Sequence, residues 1–525
     1  MASHPSNSRW SLSRWALEPD ASTFAPSSKW SNKDMDPVPP HLRTWTTWNY
    51  VAYWISDATN TASWELASSM IAIGLSWRQA LPAIAVGHII IAVIMVLNGT
   101  IGARLHIAFP VITRSSFGFW FSYFSVISRV VLSMFWFSIQ SFTGSECVYQ
   151  MLKAIWPATA RIPNHLPASA GITTVGMMCY FLFWLIQLPF LLVSPQRIRH
   201  LFVIKAAIVP ATCPPSISLA PKHAALTGNA ASWAWLSSLN SALGIYATLA
   251  VNIPDFTRYA KNEWAQYVQI IVIPVAFTLA GFCGMAVASA SEVLYGSVIW
   301  DPLQLIDRWD SRAASFFAAF SFALATLGTN ISANSLSAAN DMTVLFPRYI
   351  NIRRGQIVCA IVGGRVALCP WEILSSAPGF LTFMSGYTVF LGPFAAIMAI
   401  DYWIVHKCNV DVPAMYDPHG RYRYWNGINW RAAVALLFSV TPSLPGLAAS
   451  INPSINVRNA SHLFDIAWLY GFFTAAFIYW VLSTFFPATE TYLTEADLGN
   501  DRGVSIDEES ETKSDAEKEK VVPEA

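Results

Sequence analysis

The chain is 525 residues long, 54% hydrophobic and 12% charged, with a formal net charge of +1 and a mean hydropathy of +0.41. Soluble domains carry about 25% charged residues, so bilayer is the main solvent of this chain. The balanced charge gives no basic excess for nucleic acid, and the seven cysteines stand singly in apolar runs, which suits packing rather than disulfides or metal ligation.

Residues 1–44 are polar and rich in Ser and Pro, lack the short apolar core and cleavage site of a signal peptide, and read as a cytoplasmic tail. From Trp45 onward, apolar stretches of on the order of 20 residues recur. They fall near 48–75, 79–101, 117–150, 167–194, 201–220, 232–255, 264–289, 312–341, 355–374, 378–403, 430–450 and 463–486. The pattern predicts an all-α integral membrane protein with about twelve transmembrane helices. Residues 45–403 form the expected core, 404–429 a cytoplasmic loop, and 430–486 helices 11 and 12. Residues 487–525, rich in Glu, Asp, Lys and Ser, read as a disordered cytoplasmic tail.

Lys and Arg in short loops stay on the cytoplasmic side. Arg104 and Arg114 follow span 2, Arg197 and Arg199 span 4, Arg258 and Lys261 span 6, Arg348, Arg353 and Arg354 span 8, and Lys407, Arg421 and Arg423 span 10. Both termini are therefore expected in the cytoplasm, with Lys153, Arg161 and Arg308 as the exceptions on the opposite face. Span 5 stands apart, because Pro210, Pro214 and Pro215 interrupt it. The charge rule still requires a crossing between Arg197 and Arg258. Either 201–221 crosses as a broken element, or the fifth helix is truncated.

The run Gly328-Thr329-Asn330-Ile331-Ser332-Ala333-Asn334, continuing to Asn340 and Asp341, puts several amides at lipid depth. Each costs several kcal/mol there unless something binds it. Asn330 and Asn334 are i and i+4, as are Trp136 and Gln140 on span 3, so each pair shares a helix face. An indole plate beside an amide matches a flat heterocycle with N–H and C=O groups. The same residues also have a structural reading, with Trp packed and the amides bonded between helices.

Span 1 carries Ser56-Asp57-Ala58-Thr59-Asn60-Thr61-Ala62-Ser63, with Glu65 shortly after, and span 6 carries Gly244-Ile245-Tyr246-Ala247-Thr248, ending in Asn252-Ile253-Pro254-Asp255. Both read as interrupted helices whose free backbone groups face a cavity. Spans 1 and 6 are five apart, as are spans 3 and 8, which fits two five-helix repeats of opposite orientation. Asp57 and Glu65 either take up a proton from the acidic side or pair with Arg129 or backbone. Gly102, Gly118, Gly363 and Gly364 read as helix-contact glycines. No phosphate loop, HExxH helix or nucleophile elbow is present, which disfavours an enzyme.

The ordered stretches Asn49-Tyr50-Val51-Ala52-Tyr53-Trp54-Ile55-Ser56-Asp57, Asn98-Gly99-Thr100-Ile101-Gly102-Ala103-Arg104, Arg114-Ser115-Ser116-Phe117-Gly118, Asn252-Ile253-Pro254-Asp255-Phe256-Thr257-Arg258-Tyr259 and Pro347-Arg348-Tyr349-Ile350-Asn351-Ile352-Arg353-Arg354-Gly355 together resemble the nucleobase:cation symporter-1 family, in its fungal uracil/allantoin/uridine permease branch. Met384-Ser385-Gly386-Tyr387 and Asp401-Tyr402-Trp403 extend the likeness to about residue 403. The resemblance implies a LeuT-type core of two inverted five-helix repeats, 45–225 and 226–403, with two extra C-terminal helices. It implies uptake of a nucleobase-like ring (uracil, allantoin, uridine or uric acid) with a cation across the plasma membrane by alternating access, and no cofactor or metal is expected.

By the same resemblance, Trp136 stacks on the ring, Gln140 and Asn334 bond its polar edges, Tyr246 is a second stacking aromatic, and the backbone at Gly244 and Ile245 lies close by. Asp57, Thr329, Lys261, Met384 and Tyr387 are the expected coupling or gating residues. Three departures stand out. Gly328 precedes Thr329 where sodium-coupled relatives present adjacent hydroxyls, so an oxygen ligand is missing and a proton is favoured over sodium. Arg365 and Glu372 flank Cys369-Pro370-Trp371, where the family is milder. The fifth helix is incomplete, which keeps open a transport-inactive or sensor-like paralogue; a thiamine or nicotinamide-riboside carrier is the other alternative. The expected partners are the substrate, the lipid bilayer and, at the tails, ubiquitin-directed trafficking factors.

Overall fold

The computed structural model describes residues 15–18, 30–192, 226–364 and 369–499. The expected fifth span, Arg365 and residues 500–525 lie outside the described residues. Among the described residues the regular elements are helical, with isolated bridges in place of strands. Nine helices among the described residues are long and apolar enough to cross a membrane. The three remaining expected spans are accounted for locally: the first is split into two short helices, the fifth is not described, and the ninth contains residues 365–368, which are also not described.

In chain order, α1 (Thr47–Ala58) and α2 (Thr61–Ala72) are followed by α3 (Trp77–Leu105), α4 (Phe109–Phe117), α5 (Ser122–Ile155) and α6 (Thr174–Leu191). Then come α7 (Gly228–Asn252), α8 (Pro254–Thr257), α9 (Gln269–Tyr295), α10 (Pro302–Ile306) and α11 (Arg312–Thr329). A π-turn, Asn330–Ser335, joins α11 to α12 (Leu336–Leu345), and α13 (Ile352–Gly363), α14 (Pro370–Ile373), α15 (Ala377–Gly386) and α16 (Thr388–Ile400) follow. The chain closes with α17 (Trp430–Val440), α18 (Leu444–Ile451), α19 (Ser461–Phe464) and α20 (Ala467–Phe485).

Packing sorts these helices into two bodies and a flank. In one, α3 packs on α7 and α9, and α1 and α2 pack on α9. In the other, α5 packs on α6, α11, α12 and α13. The flank is α16 against α17 and α20. Expected spans 1, 2, 6 and 7 thus share one body, and spans 3, 4, 8 and 9 the other, so corresponding pieces of the two repeats pack together. The outward faces are apolar, as a lipid boundary demands: Ile89, Leu279 and Phe473 are each more than half exposed.

Small residues let helices approach where no hydrophobic effect drives them together. A Cβ on Gly87 would meet Ala242 Cβ at 2.9 Å, and one on Gly102 would meet Pro254 Cα at 2.6 Å. Gly118 does more than allow contact: its φ of +87° turns the chain out of α4, and a Cβ would lie 2.7 Å from Gly427 O.

The break in span 1 sits at Thr59 and Asn60, within the expected stretch. Asn60 caps α2, accepting from Ser63 N at 2.8 Å, and its Nδ2 donates to Asp57 O at 2.6 Å. One amide therefore serves both helix ends. The expected interruption of span 6 at Gly244–Thr248 is not there: α7 is helical through Asn252, and the chain re-aims only at Ile253–Pro254, where proline lacks an N–H. Gly244 instead admits another helix, because a Cβ there would collide with Met384 O on α15.

Residues before α1 strap one face of the molecule. Asn32 Nδ2 donates to Pro347 O and Ile350 O, both at 3.0 Å; Arg114 Nη2 donates to Trp30 O at 2.9 Å; Tyr416 OH donates to Met35 O at 2.7 Å. Among the described residues, this face carries the basic loops that follow spans 2, 6, 8 and 10.

Candidate functional site

Where α1, α5, α7 and the π-turn converge lies a polar pocket of about 30 Å³. Asp57, Trp136, Gln140, Ile245, Tyr246, Thr329 and Asn334 all line it. Most of the residues singled out from the sequence are therefore brought together, although they come from four separate stretches. A volume near 30 Å³ holds about one water, so the pocket must widen to admit a ring.

The π-turn explains how span 8 serves the pocket. Its i→i+5 pattern inserts extra backbone into the helix, a distortion common at functional sites. Asn330 is tied down: its Nδ2 lies 3.2 Å from Phe137 O, 3.2 Å from Ser141 Oγ and 3.0 Å from Gln187 Oε1. Its Oδ1 accepts from Asn334 Nδ2 at 2.9 Å. Asn330 is thus the interhelical amide, and it holds Asn334 at the pocket wall. Gln140 is 2% exposed and its Oε1 has no hydrogen-bond partner among the described residues. A buried acceptor left open costs about 1–3 kcal/mol.

Tyr246 lines the pocket and is anchored through its hydroxyl. Its hydroxyl donates to Asp57 O at 3.2 Å and lies 3.3 Å from Asn60 Nδ2 and 3.4 Å from Ser63 Oγ. Phe277 packs on its ring at a centroid distance of 4.3 Å, with Trp54 at 6.0 Å. The side chain therefore bridges α7 to the break between α1 and α2.

Gly244, Met384 and Tyr387 lie beside the pocket rather than in its wall. Tyr387 OH lies 3.1 Å from Gly244 O and 3.3 Å from Met384 Sδ, and its ring sits 6.4 Å from that of Trp136. Phe383, at 5.6 Å from Trp136, completes this aromatic group and was not singled out in the sequence. Lys261 is exposed on the strapped face, away from the pocket, where its N–H donates to Trp45 O at 2.9 Å.

Glu65 is 2% exposed but does not line the pocket. The pairing of Asp57 or Glu65 with Arg129 is not what forms: Arg129 faces Asp341, with Nε to Oδ2 at 3.8 Å. Gln187 was missed by the sequence reading. A lone amide in the apolar span 4 was the available signal, and its Nε2 donates to Ser141 Oγ at 3.0 Å. A second cavity, of about 500 Å³, lies between α1, α2, α9 and α11 with an almost wholly apolar lining, and touches the polar pocket only at Asn60. No group of three metal-ligating side chains occurs among the described residues.

The comparisons with known proteins identify the family and the fold. Residues 37–471 match the family described as permeases for cytosine/purines, uracil, thiamine and allantoin. The chain is 36% identical to the allantoin permease of Saccharomyces cerevisiae, covering 88% of this chain and 77% of that one. It is likewise 36% identical to the uracil permease of the same yeast, covering 87% and 76%. Among solved structures, Mhp1, a nucleobase-cation-symport-1 family transporter in a closed conformation with bromovinylhydantoin bound, superposes with a TM-score of 0.65 at 22% identity, covering 87% of this chain and 97% of that one. The inward-facing conformation of Mhp1 gives 0.64 at 21%. That likeness shows the LeuT-type fold. The chain is a membrane-spanning member of the cytosine/purine, uracil, thiamine and allantoin permease family, a transporter and not an enzyme.

Proposed function

We propose that this chain imports a nucleobase-like ring together with a proton, by alternating access across the plasma membrane, with both termini in the cytoplasm. The observation that carries the reading is the open Gln140 Oε1 beside Trp136 and opposite Asn334. That trio offers a flat apolar plate, an acceptor and an amide edge, which is what a planar ring with adjacent N–H and C=O groups requires. In this reading Trp136 stacks on the ring, Gln140 accepts from its N–H, and Asn334 bonds the far edge. Ile245 and the Gly244 backbone flank it, and Tyr246 holds the wall in place through Asp57, Asn60 and Ser63.

Uracil, allantoin and uridine are the substrates to test first, since permeases named for them are about a third identical to this chain. Asp57 is the proton acceptor in this scheme, a carboxyl at the helix break with access to the pocket. Thr329 lines the same pocket, and Gly328 before it supplies no second hydroxyl for a sodium cage. Met384 and Tyr387 gate one side, and Lys261 the strapped, cytoplasmic side. The test is accumulation of radiolabelled uracil, allantoin, uridine and uric acid in cells lacking their own permeases. Uptake that rises from pH 7.5 to pH 5 and collapses with a protonophore is the expected result. Ring binding to membranes without accumulation would instead support the sensor-like alternative.

A further inference from the structure

Two turns below the pocket lies a second polar layer. Arg129 precedes Trp136 on α5 by seven residues, and Asp341 follows Asn334 by seven on the π-turn and α12. At 1.5 Å per residue each step is about 10 Å, and both lead toward the strapped face. The layer is buried: Arg129 and Arg258 are each 1% exposed, and Asp341 is fully enclosed.

Its bonds run between the two bodies of the fold. Arg129 Nη1 on α5 donates to Thr248 O on α7 at 3.4 Å, and Thr248 is itself a pocket-lining residue. Asn252 Nδ2 on α7 donates to Ser337 Oγ on α12 at 2.9 Å, and Arg258 Nη2 after α8 donates to Asn340 Oδ1 at 3.4 Å. Asp255 on α8 stays within its own body, accepting from Asn252 Nδ2 at 3.2 Å and, beyond it, from Phe109 N at 2.9 Å. Arg129 thus lies beneath the pocket and ties one body to the other at Thr248, a residue of the pocket wall.

The layer is incompletely bonded. Six buried polar atoms in it have no hydrogen-bond partner among the described residues: Arg129 Nε and Nη2, both Asp341 carboxylate oxygens, Arg258 Nε and Asn252 Oδ1. The 3.8 Å from Arg129 Nε to Asp341 Oδ2 is too long for a hydrogen bond. A permanent layer would satisfy such groups. A guanidinium and a carboxylate held apart, each open, have a better arrangement within reach, namely a bidentate pair.

We propose that this layer is the inner gate, and that Arg129 exchanges partners as it works. With the gate shut, Arg129 ties the two bodies together through Thr248 O. On opening, Asn252 and Arg258 part from Ser337 and Asn340, and Arg129 leaves Thr248 and closes on Asp341, its neighbour within the same body. Asp341 therefore stabilises the open gate, while Asn252 stabilises the shut one.

The inference rests on the transport reading for its direction, and its test does not depend on uptake. A reporter cysteine, Ala333→Cys, is placed in the pocket wall of the full chain, and its modification by a charged, membrane-impermeant methanethiosulfonate is timed in inside-out vesicles. The same chain without the reporter gives the background from the native cysteines. Asn252→Ala raises the modification rate roughly fivefold, the size of one neutral hydrogen bond. Asp341→Asn lowers it by about tenfold, as loss of a charge-assisted pair requires. Asn340→Ala, a milder change in the same layer, raises it as Asn252→Ala does. Rates that stay unchanged, or that move in one direction for Asn252→Ala and Asp341→Asn alike, overturn the gate. Opposite shifts without any ring accumulation keep the gate and refute the transport reading.

Discussion

The first helix of each repeat meets the pocket in a different way. Between α1 and α2 the chain leaves the helix at Thr59 and Asn60, whereas α7 passes the pocket unbroken from Gly228 to Asn252. Both stretches looked alike as sequence, since each puts small and polar residues into an apolar span. What separates them is the capping chemistry. Asn60 supplies an acceptor for Ser63 N and a donor for Asp57 O, so both cut ends of the helix are satisfied. Gly244-Ile245-Tyr246-Ala247-Thr248 offers no such cap, and its glycine serves the contact with Met384. The asymmetry leaves α7 as the firm wall, with Tyr246 reaching from it to hold the broken one.

The sharpest way to break this comparison is proline in α7. Ala247→Pro removes a backbone donor and crowds the preceding turn, costing about 3 kcal/mol or more; loss of surface-delivered protein, read by a fluorescent fusion, is the outcome expected. A fully delivered, active Ala247→Pro protein would mean that α7 is discontinuous after all.

Next in size is Asn60→Ala, which removes the cap and the bond to Asp57 O together. About 1–2 kcal/mol of local stability goes with the cap, and uptake falls with it while delivery persists. Tyr246→Phe separates the two roles open to that residue: the ring stays and the hydroxyl goes. A bridging role predicts roughly a fivefold fall in uptake, one hydrogen bond's worth, and a stacking role predicts no change.

The smallest effect lies outside the membrane, where Lys153 Nζ and Asp307 Oδ1 are 2.6 Å apart. Burial pushes the Asp307 carboxyl up, but hydrogen bonds from Lys153 and Gln150, with the Lys153 charge, outweigh it and hold the group below its ordinary value. The folded state then binds fewer protons than the unfolded one, so the contribution is present above a carboxylate's usual pKa of about 4 and is lost as pH falls through the lower, folded value. The pair is two-fifths exposed at Asp307, which limits it to about 0–1 kcal/mol. Lys153→Met removes this increment of acid sensitivity, read as a flatter dependence of thermal unfolding on pH between 5 and 3.

Much of the architecture was legible in the sequence because membrane helices announce themselves by length and hydropathy. The meeting of Trp136, Gln140 and Asn334 in one pocket was foreshadowed for a related reason: an amide at lipid depth is expensive, so its presence marks either a partner or a passenger. Sequence could not sort the two cases. Asn330 and Asn334 look identical in the chain, and only the positions of Phe137, Ser141 and Gln187 show that the first is tied and the second faces the pocket. The π-turn that carries both has no sequence signature of its own. Phe383 and Gln187 were missed because each contributes through a neighbour on another helix, and the Arg129–Asp341 juxtaposition joins residues more than two hundred positions apart.

The central claim is that Trp136, Gln140 and Asn334 form the binding surface for a flat polar ring, and its most direct test is uptake by Gln140→Ala and Asn334→Ala, with delivery to the surface followed in the same cells. The account predicts that both variants reach the surface and that radiolabelled ring uptake is abolished in each. Wild-type uptake retained in both variants would contradict it.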